Sequence, residues 1–348
     1  MNDEKLINTL SKLSYLLTNI FSTYSNKRYY NTFLKDEIIK NIDIISKLNP
    51  WFEKRYVEKS LTSILNYLKI ENLNNFLSNY NFNNNKKKIF IIMAGNIPLV
   101  GFHDFICCLF SGHDIYIKLS KNDNILFPII VDYLKLIQPN FKNRIHFVDF
   151  QFNQYDAIIA TGSDNTISFF NYHFKSKPKI LRKHRNSIAV ISGYETKQEI
   201  ILLGDDIFSY FGLGCRNVSK IYVPVKYNFE FMIETLMNYN FVLKNRKYFN
   251  NYKYYNSVFS IDKINYRDNN FWHLIQSKKI HSPISVINYE YYKSKNHLNK
   301  IILNKREKIQ CIISNGLIED SGVFGSSQTP SIFDFSDNID TMKFLENI

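Results

Sequence analysis

One cysteine carries the clearest chemical signal in this sequence of 348 residues. Gly212 and Gly214 fall within the three residues before Cys215, and because glycine has no side chain, a large group can approach the sulfur. Arg216 follows directly, and a neighbouring cation favours the thiolate, which is the nucleophilic form of cysteine. A helix-ending glycine followed by an inert buried cysteine gives the same pattern, so this stretch alone leaves both interpretations open. Asn217 stands where a GxGxxG motif would have its third glycine.

The other cysteines are expected to be structural. Cys107 and Cys108 lie in an apolar, helix-like run, and Cys311 lies in a short predicted strand. Free cysteines in such settings behave as small hydrophobic residues. The sequence contains no CxxC, HExxH or clustered His/Cys pattern, so no structural or catalytic metal is expected.

A cysteine that attacks a carbonyl group produces a tetrahedral intermediate, whose oxyanion needs hydrogen-bond donors. The backbone N–H of Cys215 is one candidate donor. The side-chain amide of Asn96 is a second, because it stands at a predicted strand-to-helix turn just before Pro98. Capping the following helix is a common role of asparagine, and it remains the alternative for Asn96.

A second group of residues has the types that bind a phosphate. Thr161, Gly162 and Ser163 follow a predicted strand and precede a predicted helix, where backbone N–H groups and a hydroxyl can hold an anion. Lys118 and Ser120, at the end of a neighbouring predicted strand, are placed to reach the same ligand. Turns of this kind are frequent, so the pattern alone does not establish a nucleotide site.

The spacing of apolar residues predicts helices first and then an α/β body. Within residues 1–85, leucines and isoleucines recur at three- and four-residue spacing, with a break at 49–52 and a polar linker at 83–88. Strands are then predicted at 89–93, 115–119, 145–148, 157–160 and 187–191. Helices are predicted between them at 98–111, 126–137 and 166–174, and residues 120–123 are expected to cap the second. Strands and helices that alternate through short turns indicate a parallel sheet.

The same alternation recurs beyond Gly193. A helix is predicted to run to Phe211, followed by the cysteine turn, a strand at 221–223 and a helix at 229–239. Further strands are predicted near 258–261, 285–288 and 310–314. Residues 244–255 are polar and aromatic and receive no assignment.

Composition limits the classes of function. The formal net charge is +13, but the lysines are scattered and their longest pure run is residues 86–88. Because Asn, Lys, Ile, Tyr and Phe are all abundant, we attribute the charge to A- and T-rich codons and expect no nucleic-acid binding. Four irregularly spaced cysteines and a polar start favour a cytoplasmic setting. The apolar region 89–112 is not a membrane span, because Asn96, His103 and Asp104 lie within it.

Several motifs occur in the order in which the aldehyde dehydrogenase superfamily carries them. Residues 96–99 resemble its N-F-P-L turn, 118–120 its K-P-S strand end, 161–163 its T-G-S turn and 212–215 its G-Q-x-C nucleophile loop. Over about residues 45–348 the chain resembles more closely the acyl-CoA reductase (LuxC-like) family, the fatty acid reductase subunit of bacterial bioluminescence systems. The runs that carry this resemblance are MAGNIPLVGFHD at 93–104, RKHRNS at 182–187 and FGLGCRN at 211–217.

The resemblance implies an aldehyde dehydrogenase-like α/β fold, with a parallel-sheet cofactor domain, an α/β catalytic domain and a helical N-terminal region. The expected boundaries are 1–85 for the helical region, 86–192 for the nucleotide-binding domain, 193–320 for the catalytic domain and 321–348 for a tail that packs back on the body. The resemblance also implies that Cys215 is the nucleophile, that Asn96 is an oxyanion donor and that NADPH is the cofactor. The cofactor-binding residues implied are Lys118, Ser120, Thr161, Gly162 and Ser163.

Two stretches depart from the superfamily pattern. Hydrolytic aldehyde dehydrogenases hold a water-activating glutamate in an E-L-G-G turn, whereas residues 181–185 read LRKHR. Hydrolysis of the acyl-enzyme should therefore be slow, which leaves it for thiol exchange and hydride transfer. The glutamate that holds the nicotinamide ribose in E-x-F-G-P is also missing, since residues 279–283 read KIHSP. Extra positive charge near the nucleotide would suit the 2′-phosphate of NADPH, and His184 or His281 remains open as an alternative base.

The predicted reaction is the NADPH-dependent reduction of an acyl thioester, with fatty acyl-CoA as the expected substrate, to an aldehyde through an acyl-enzyme on Cys215. An acyl-CoA or acyl-protein donor, an acyl-protein synthetase or acyltransferase partner, and a homo-oligomer are expected. The alternatives are a short-chain CoA-acylating aldehyde dehydrogenase running in the opposite direction, a non-catalytic scaffold and a basic nucleic-acid binder. Intact Cys215 and Asn96 argue against the scaffold, and the scattered lysines argue against the binder.

Overall fold

The computed structural model describes residues 3–20, 32–82 and 85–348. The chain divides into two compact units, the first comprising Met1–Lys183 with Ser331–Ile348 and the second His184–Pro330. The described residues of each unit are built around one sheet, with five strands in the first and six in the second. None of the described helices combines the length and the apolar content needed to cross a membrane.

The N-terminal region is helical, as its leucine spacing predicts. Its helices are α1 (Asp3–Ile20), α2 (Thr32–Leu48), α3 (Lys54–Tyr67) and α4 (Ile70–Leu77). The leucines that predicted α1 are buried, with Leu10, Leu13 and Leu17 at 0% exposure. The predicted break at 49–52 lies between α2 and α3. The predicted linker begins with residues 83 and 84, which lie outside the described residues.

The first sheet is parallel throughout, and its strand order is β3-β2-β1-β4-β5. Its strands are β1 (Lys88–Ile92), β2 (Asp114–Lys118), β3 (Ile145–Phe147), β4 (Ala157–Thr161) and β5 (Lys179–Arg182). Helices α5 (Phe102–Phe110), α6 (Leu126–Ile137) and α7 (Asp164–His173) connect strands of this sheet. The strand order reverses direction between β1 and β4, and in open α/β sheets ligands bind at the carboxyl ends of the strands beside such a reversal.

Two details of this region differ from the sequence prediction. Helix α5 begins at Phe102 rather than at Pro98, because residues 98–101 form turns and Leu99 has a φ of +57°. Helix α6 has the predicted bounds, but no side chain caps it, since its N-cap is Ile125. Asp123, which was expected to take part in that cap, instead accepts a hydrogen bond from the backbone N–H of Leu99.

The second sheet has the order β11-β6-β7-β10-β9-β8 and is parallel except for the β8–β9 pair. Its strands are β6 (Asn186–Val190), β7 (Val218–Pro224), β8 (Tyr266–Asp268), β9 (His273–Gln276), β10 (Val286–Tyr292) and β11 (Ile309–Ile313). Its helices are α8 (Lys197–Phe208), α9 (Glu230–Leu236), α10 (Arg246–Ile261) and α11 (Lys295–Leu303).

Strand β6 was expected to complete the first sheet, and that prediction is wrong. The strand pairs with β7 and β11 in the second sheet, and the second unit already begins at His184. All five residues of β6 are buried, so its apolar pattern suits the interior of either sheet and cannot select between them. The roles expected for the two α/β domains, cofactor binding and catalysis, stay predictions.

Helix α10 was missed by the sequence analysis. It covers most of the unassigned residues 244–255 and all of the predicted strand at 258–261, which is therefore wrong. The side chain of Asn245 caps the helix by accepting the backbone N–H groups of Lys247 and Tyr248. Its buried residues include Tyr248 and Tyr252, which are four apart, and this helical spacing is obscured by the polar and aromatic residues around them.

The end of the chain returns to the first unit. Helix α12 (Thr341–Glu346) supplies the hydroxyl of Thr341, which accepts a hydrogen bond of 2.7 Å from the guanidinium of Arg182. Arg182 also forms a buried ion pair with Asp104 of α5. Both partners of this ion pair belong to runs that carry the family resemblance, so these motif residues fasten α5, β5 and α12 together.

Candidate functional site

The nucleophile loop, residues 209–217, follows α8 in the second unit. Helix α8 starts with a capping box between Thr196 and Glu199 and ends at Phe208. The next residues include Tyr210 and Phe211, whose φ angles are +51° and +57°, and then Gly212 at +79°. Left-handed backbone at a bulky residue is unfavourable by about 1–3 kcal/mol, and it persists only where surrounding contacts enforce it.

Asn217 supplies those contacts. Its side-chain Nδ2 donates to the carbonyl groups of Asp206, Ile207 and Ser209 at 3.1, 3.3 and 2.8 Å. Its Oδ1 accepts the backbone N–H of Gly214 at 2.8 Å. The residue is 2% exposed, so these bonds are shielded from water. Asn217 therefore ties the loop to the end of α8, a role that the sequence analysis missed because no local pattern announces it.

Cys215 lies within this clamped loop and is partly exposed. Its carbonyl oxygen accepts a 3.0 Å hydrogen bond from the hydroxyl of Ser187, the second residue of β6. The same hydroxyl lies 2.9 Å from the sulfur of Cys311. The structure thus fixes the backbone of Cys215 from both the loop and the neighbouring strand, and it places a second thiol close by.

The other cysteines are less suited to nucleophilic attack. Cys107 and Cys108 are fully buried, as expected, and burial raises the pKa of both thiols. Cys311 is only partly buried, which differs from the core position that its strand suggested. Burial of its sulfur nevertheless raises the pKa of Cys311 to about 11, although Arg216 acts in the opposite direction. At neutral pH the Cys311 thiol is therefore protonated.

Two exposed histidines contact each other in the second unit. The rings of His184 and His281 lie 5.2 Å apart in an edge-to-face arrangement. Nε2 of His184 is 3.5 Å from the side-chain nitrogen of Asn186, with which β6 begins. The next residue, Ser187, donates its backbone N–H to the carbonyl of Asn217 at 3.3 Å. The two histidines that sequence reasoning left open as bases therefore lie at the end of the second sheet that contacts the nucleophile loop.

The remaining predicted site residues lie in the first unit, at the edge of its sheet that is formed by the carboxyl ends of the strands. The register pairs Ile92 of β1 with Lys118 of β2 and with Ala160 of β4, so these strands end level with one another. This alignment brings Asn96 to the same edge as Lys118, Ser120 and residues 161–163. The structure therefore assembles the predicted cofactor residues and Asn96 at the carboxyl ends of β2, β1 and β4, beside the reversal of strand order.

The connections at this edge are closely packed. A Cβ atom added to Gly95 would lie 2.4 Å from the hydroxyl oxygen of Ser120, so only glycine fits at this approach. Ser163 is the N-cap of α7, and its hydroxyl accepts the backbone N–H of Thr166 at 3.3 Å. A Cβ at Gly162 would lie 2.9 Å from the side chain of Thr166. A glycine turn that leads into a helix N-terminus is suited to binding a dinucleotide phosphate.

Asn96 does not cap the helix that follows it. The N-cap of α5 is Gly101 rather than Asn96, so the helix-cap alternative for Asn96 is wrong. Asn96 is half-buried, and the turn that carries it is fixed further along. The hydroxyl of Ser60 donates to the carbonyl of Pro98 at 2.5 Å, and Asp123 accepts the N–H of Leu99 at 2.7 Å.

We expect that replacing Asn217 with alanine unfastens the nucleophile loop. The change leaves buried peptide groups without partners, at about 1–3 kcal/mol each, so the free energy of unfolding should fall by about 3 kcal/mol or more. Urea unfolding measures this loss, and the rate at which Cys215 reacts with a thiol reagent reports the loop. Asn228, which is exposed and bonds only locally to Glu230, gives the matched alanine control. Equal stability of the two variants would contradict the clamp.

The structure has the fold of the aldehyde dehydrogenases. Aldehyde dehydrogenase 21 from Physcomitrella patens, solved with succinate, matches it with a TM-score of 0.66 at 10% identity, covering 100% of this chain and 84% of its own. An aldehyde dehydrogenase from Bacillus cereus, solved as an NAD+ complex, gives a TM-score of 0.63 at 12% identity, covering 90% and 72%. At these identities the likeness establishes the fold alone, and it confirms the predicted fold class.

The family follows from the sequence. A model of the acyl-CoA reductase (LuxC) family matches residues 2–237, which is more than half of the chain. The protein therefore belongs to the acyl-CoA reductase (LuxC) family, as its motifs predicted. A sequence comparison with curated proteins gives no match. Family and fold together support an oxidoreductase activity in which an aldehyde takes part. Among the described residues, no group of three or more His, Cys, Asp or Glu side chains is placed to hold a metal ion.

Proposed function

We propose that this protein uses NADPH to reduce an acyl thioester, with fatty acyl-CoA as the expected substrate, to the corresponding aldehyde. The observation that carries the proposal is the setting of Cys215. Cys215 is a partly exposed residue, Arg216 follows it, and its loop is held in an unfavourable backbone conformation by the buried Asn217. Rigid placement of a cysteine outside the core suits a covalent nucleophile, and family membership supports the reaction class.

In the first half-reaction, the thiolate of Cys215 attacks the carbonyl carbon of the acyl thioester. The bond between that carbon and the carrier sulfur then breaks, and the carrier leaves as a thiol after taking up a proton. We assign delivery of this proton to His184 and His281, because they lie at the end of the second sheet that contacts the nucleophile loop. The amide of Asn96 is the proposed donor to the carbonyl oxygen while that oxygen carries negative charge.

In the second half-reaction the acyl group on Cys215 is reduced and released. NADPH, when bound, supplies the hydride that the thioester carbon accepts. Asn96 again donates to the oxygen as its charge develops, and Cys215 departs as thiolate when the thiohemiacetal collapses to the aldehyde. The nucleophile is thereby regenerated without a water molecule entering the reaction.

The residues at the edge of the first sheet favour NADPH over NADH. In NAD-binding folds of this type, a carboxylate after the second strand bonds the ribose hydroxyl, whereas a cation there accommodates the 2′-phosphate. Here β2 ends in Lys118, and Ser120 lies two residues further along the chain. Asp123, the carboxylate that comes next, is buried and bonded to the N–H of Leu99. Lys118, Ser120 and residues 161–163 would hold the dinucleotide phosphates.

The direct test is incubation of the protein with acyl-CoA esters of increasing chain length and either NADPH or NADH. We expect oxidation of NADPH with formation of one aldehyde per cofactor, and a higher kcat/KM for long acyl chains. Faster turnover of short chains, or of free aldehyde with CoA and NADP+, would favour the acylating dehydrogenase instead. No cofactor oxidation together with no labelling of Cys215 by acyl-CoA would overturn the proposal.

Without NADPH the acyl-enzyme is expected to persist. Residues 181–185 contain no carboxylate to activate water, so attack by water should be slow, while added CoA should discharge the enzyme by thiol exchange. The measurement follows radiolabelled acyl-enzyme in buffer alone and after addition of CoA. Release of free acid in plain buffer as fast as CoA removes the label would mean that the chain hydrolyses its acyl group. A His184→Ala variant then shows whether that histidine activates the water.

A further inference from the structure

The turn that carries Asn96 contains a backbone conformation that needs an external restraint. Leu99 has a φ of +57°, and left-handed backbone at a residue with a side chain is unfavourable by about 1–2 kcal/mol. Leu99 is only 3% exposed and packs in the hydrophobic core of the first unit. Helix α5 begins only at Phe102, so the hydrogen bonds of a helix interior do not impose this conformation.

One peptide group of the turn is clamped from both sides. The carbonyl of Pro98 and the N–H of Leu99 belong to the same peptide plane. Ser60 of α3 donates its hydroxyl to that carbonyl at 2.5 Å, and Asp123 accepts that N–H through Oδ2 at 2.7 Å. Ser60 and Asp123 are 7% and 8% exposed, so both bonds form away from water. A buried donor or acceptor left without a hydrogen bond there would destabilise the fold.

Asp123 is itself held at the end of β2. Its backbone N–H donates to the carbonyl of Ser120 at 3.1 Å, and the neighbouring carbonyl of Asn122 accepts a 3.3 Å bond from the side chain of Asn49. Ser120 in turn packs against Gly95, where no Cβ would fit. The segment that holds Leu99 therefore also contacts the residue before Asn96, and it contains a predicted cofactor residue.

We propose that Asp123 is a positioning residue of the reductase, which holds the Pro98–Leu99 peptide so that the turn presents the amide of Asn96 to the substrate oxygen. The inference rests on the proposed function, in which Asn96 stabilises an oxyanion. Asp123 itself touches neither substrate nor cofactor in this role, and it acts only through the turn.

The chemistry of the group agrees with this role. Burial raises the pKa of Asp123 to about 7, although the bond from the Leu99 N–H acts in the opposite direction. The charged carboxylate and the neutral acid each keep an oxygen that can accept the N–H. An asparagine at this position would keep such an oxygen as well, whereas alanine would not.

The test is a double-mutant cycle on the rate at which acyl-CoA acylates Cys215. Asp123→Ala is expected to slow acylation about 10²-fold, the scale on which a displacement of about 1 Å acts on a reacting group. In an Asn96→Ala background the same change should alter the rate less than about 2-fold, because residues that act as one unit are not additive. A merely structural role would lower the rate by the same factor in both backgrounds, and that result would overturn the inference.

Two further variants keep the outcome interpretable. Asp123→Asn should restore most of the acylation rate, because its amide oxygen can accept the Leu99 N–H. Asp156→Ala is the matched control, since Asp156 accepts the backbone N–H of Lys88 at 2.8 Å at the opposite end of β1, and its loss should leave the rate unchanged. If Asp123→Ala does not fold, failure of Asp123→Asn to support wild-type acylation contradicts the inference. A wild-type protein that acyl-CoA does not label refutes the proposed function instead, whereas a labelled wild type with an unaffected Asp123→Ala refutes this inference alone.

Discussion

Replacing Cys215 with alanine is expected to abolish acylation of the protein and reduction of acyl-CoA. Without the covalent nucleophile no acyl-enzyme forms, so the expected loss in kcat is about 10⁵–10⁶-fold. The loop should keep its conformation, because Asn217 bonds to backbone groups of the helix end and to Gly214 rather than to the sulfur. Radiolabelled acyl-CoA measures acylation, and NADPH oxidation measures reduction.

Cys311 provides the matched control for this experiment. It lies close to the same loop through the hydroxyl of Ser187, but burial raises the pKa of its thiol to about 11. Because that thiol is protonated at neutral pH, the Cys311→Ser variant should be acylated, and should reduce acyl-CoA, at the wild-type rates. Persistent labelling of Cys215→Ala, together with loss of label in Cys311→Ser, would show that Cys311 is the nucleophile.

Replacing Asn96 with alanine is expected to lower kcat by about 10²–10³-fold, the typical effect of removing one oxyanion donor. The amide is proposed to bond the oxygen more strongly as its charge develops, so the loss should appear in the rate constants of acylation and of hydride transfer more than in KM. Single-turnover measurements with acyl-CoA, and with preformed acyl-enzyme and NADPH, separate the two steps.

The Asn96→Ala protein is expected to fold as wild type does, because Gly101 rather than Asn96 is the N-cap of α5. Asn124→Ala, an exposed asparagine of the same unit, is the control for both activity and thermal unfolding. A variant of Asn96 that keeps its turnover but melts at a much lower temperature would show that the side chain supports the turn and takes no part in the reaction.

Much of the architecture was predictable from local sequence. Helix α6 has the predicted bounds, and strands β1, β2, β3 and β4 each lie within one residue of their predicted positions. These elements are defined by the spacing of their apolar residues and by the glycines, prolines and asparagines at their ends, which are properties of neighbours in the chain. Helix α10 escaped the same reasoning because aromatic residues, common in strands, occupy its length.

The roles of individual polar residues were less accessible. Asn217 was noted as the residue that breaks a GxGxxG motif and as the end of the run FGLGCRN, without a role of its own, and Asp123 was expected to cap α6. Asn217 instead bonds to backbone groups of Gly214 and of the end of α8. Asp123 instead accepts the backbone N–H of Leu99. A buried peptide group must find a partner somewhere, but its partner is chosen by proximity in space, for which a single sequence holds no period or motif.

The sequence by itself determined the family and the alternation of strands and helices, and it made Cys215 the candidate nucleophile, because each depends on residue types at fixed spacing along the chain. Tertiary structure alone decided which sheet receives β6, whose five buried residues suit either one. It also decided that Lys118, Ser120 and residues 161–163 end at the same edge as Asn96, since that alignment depends on the register between parallel strands. Strand pairing and the satisfaction of buried polar groups are set by contacts between distant segments, and these contacts exist only once the chain has folded.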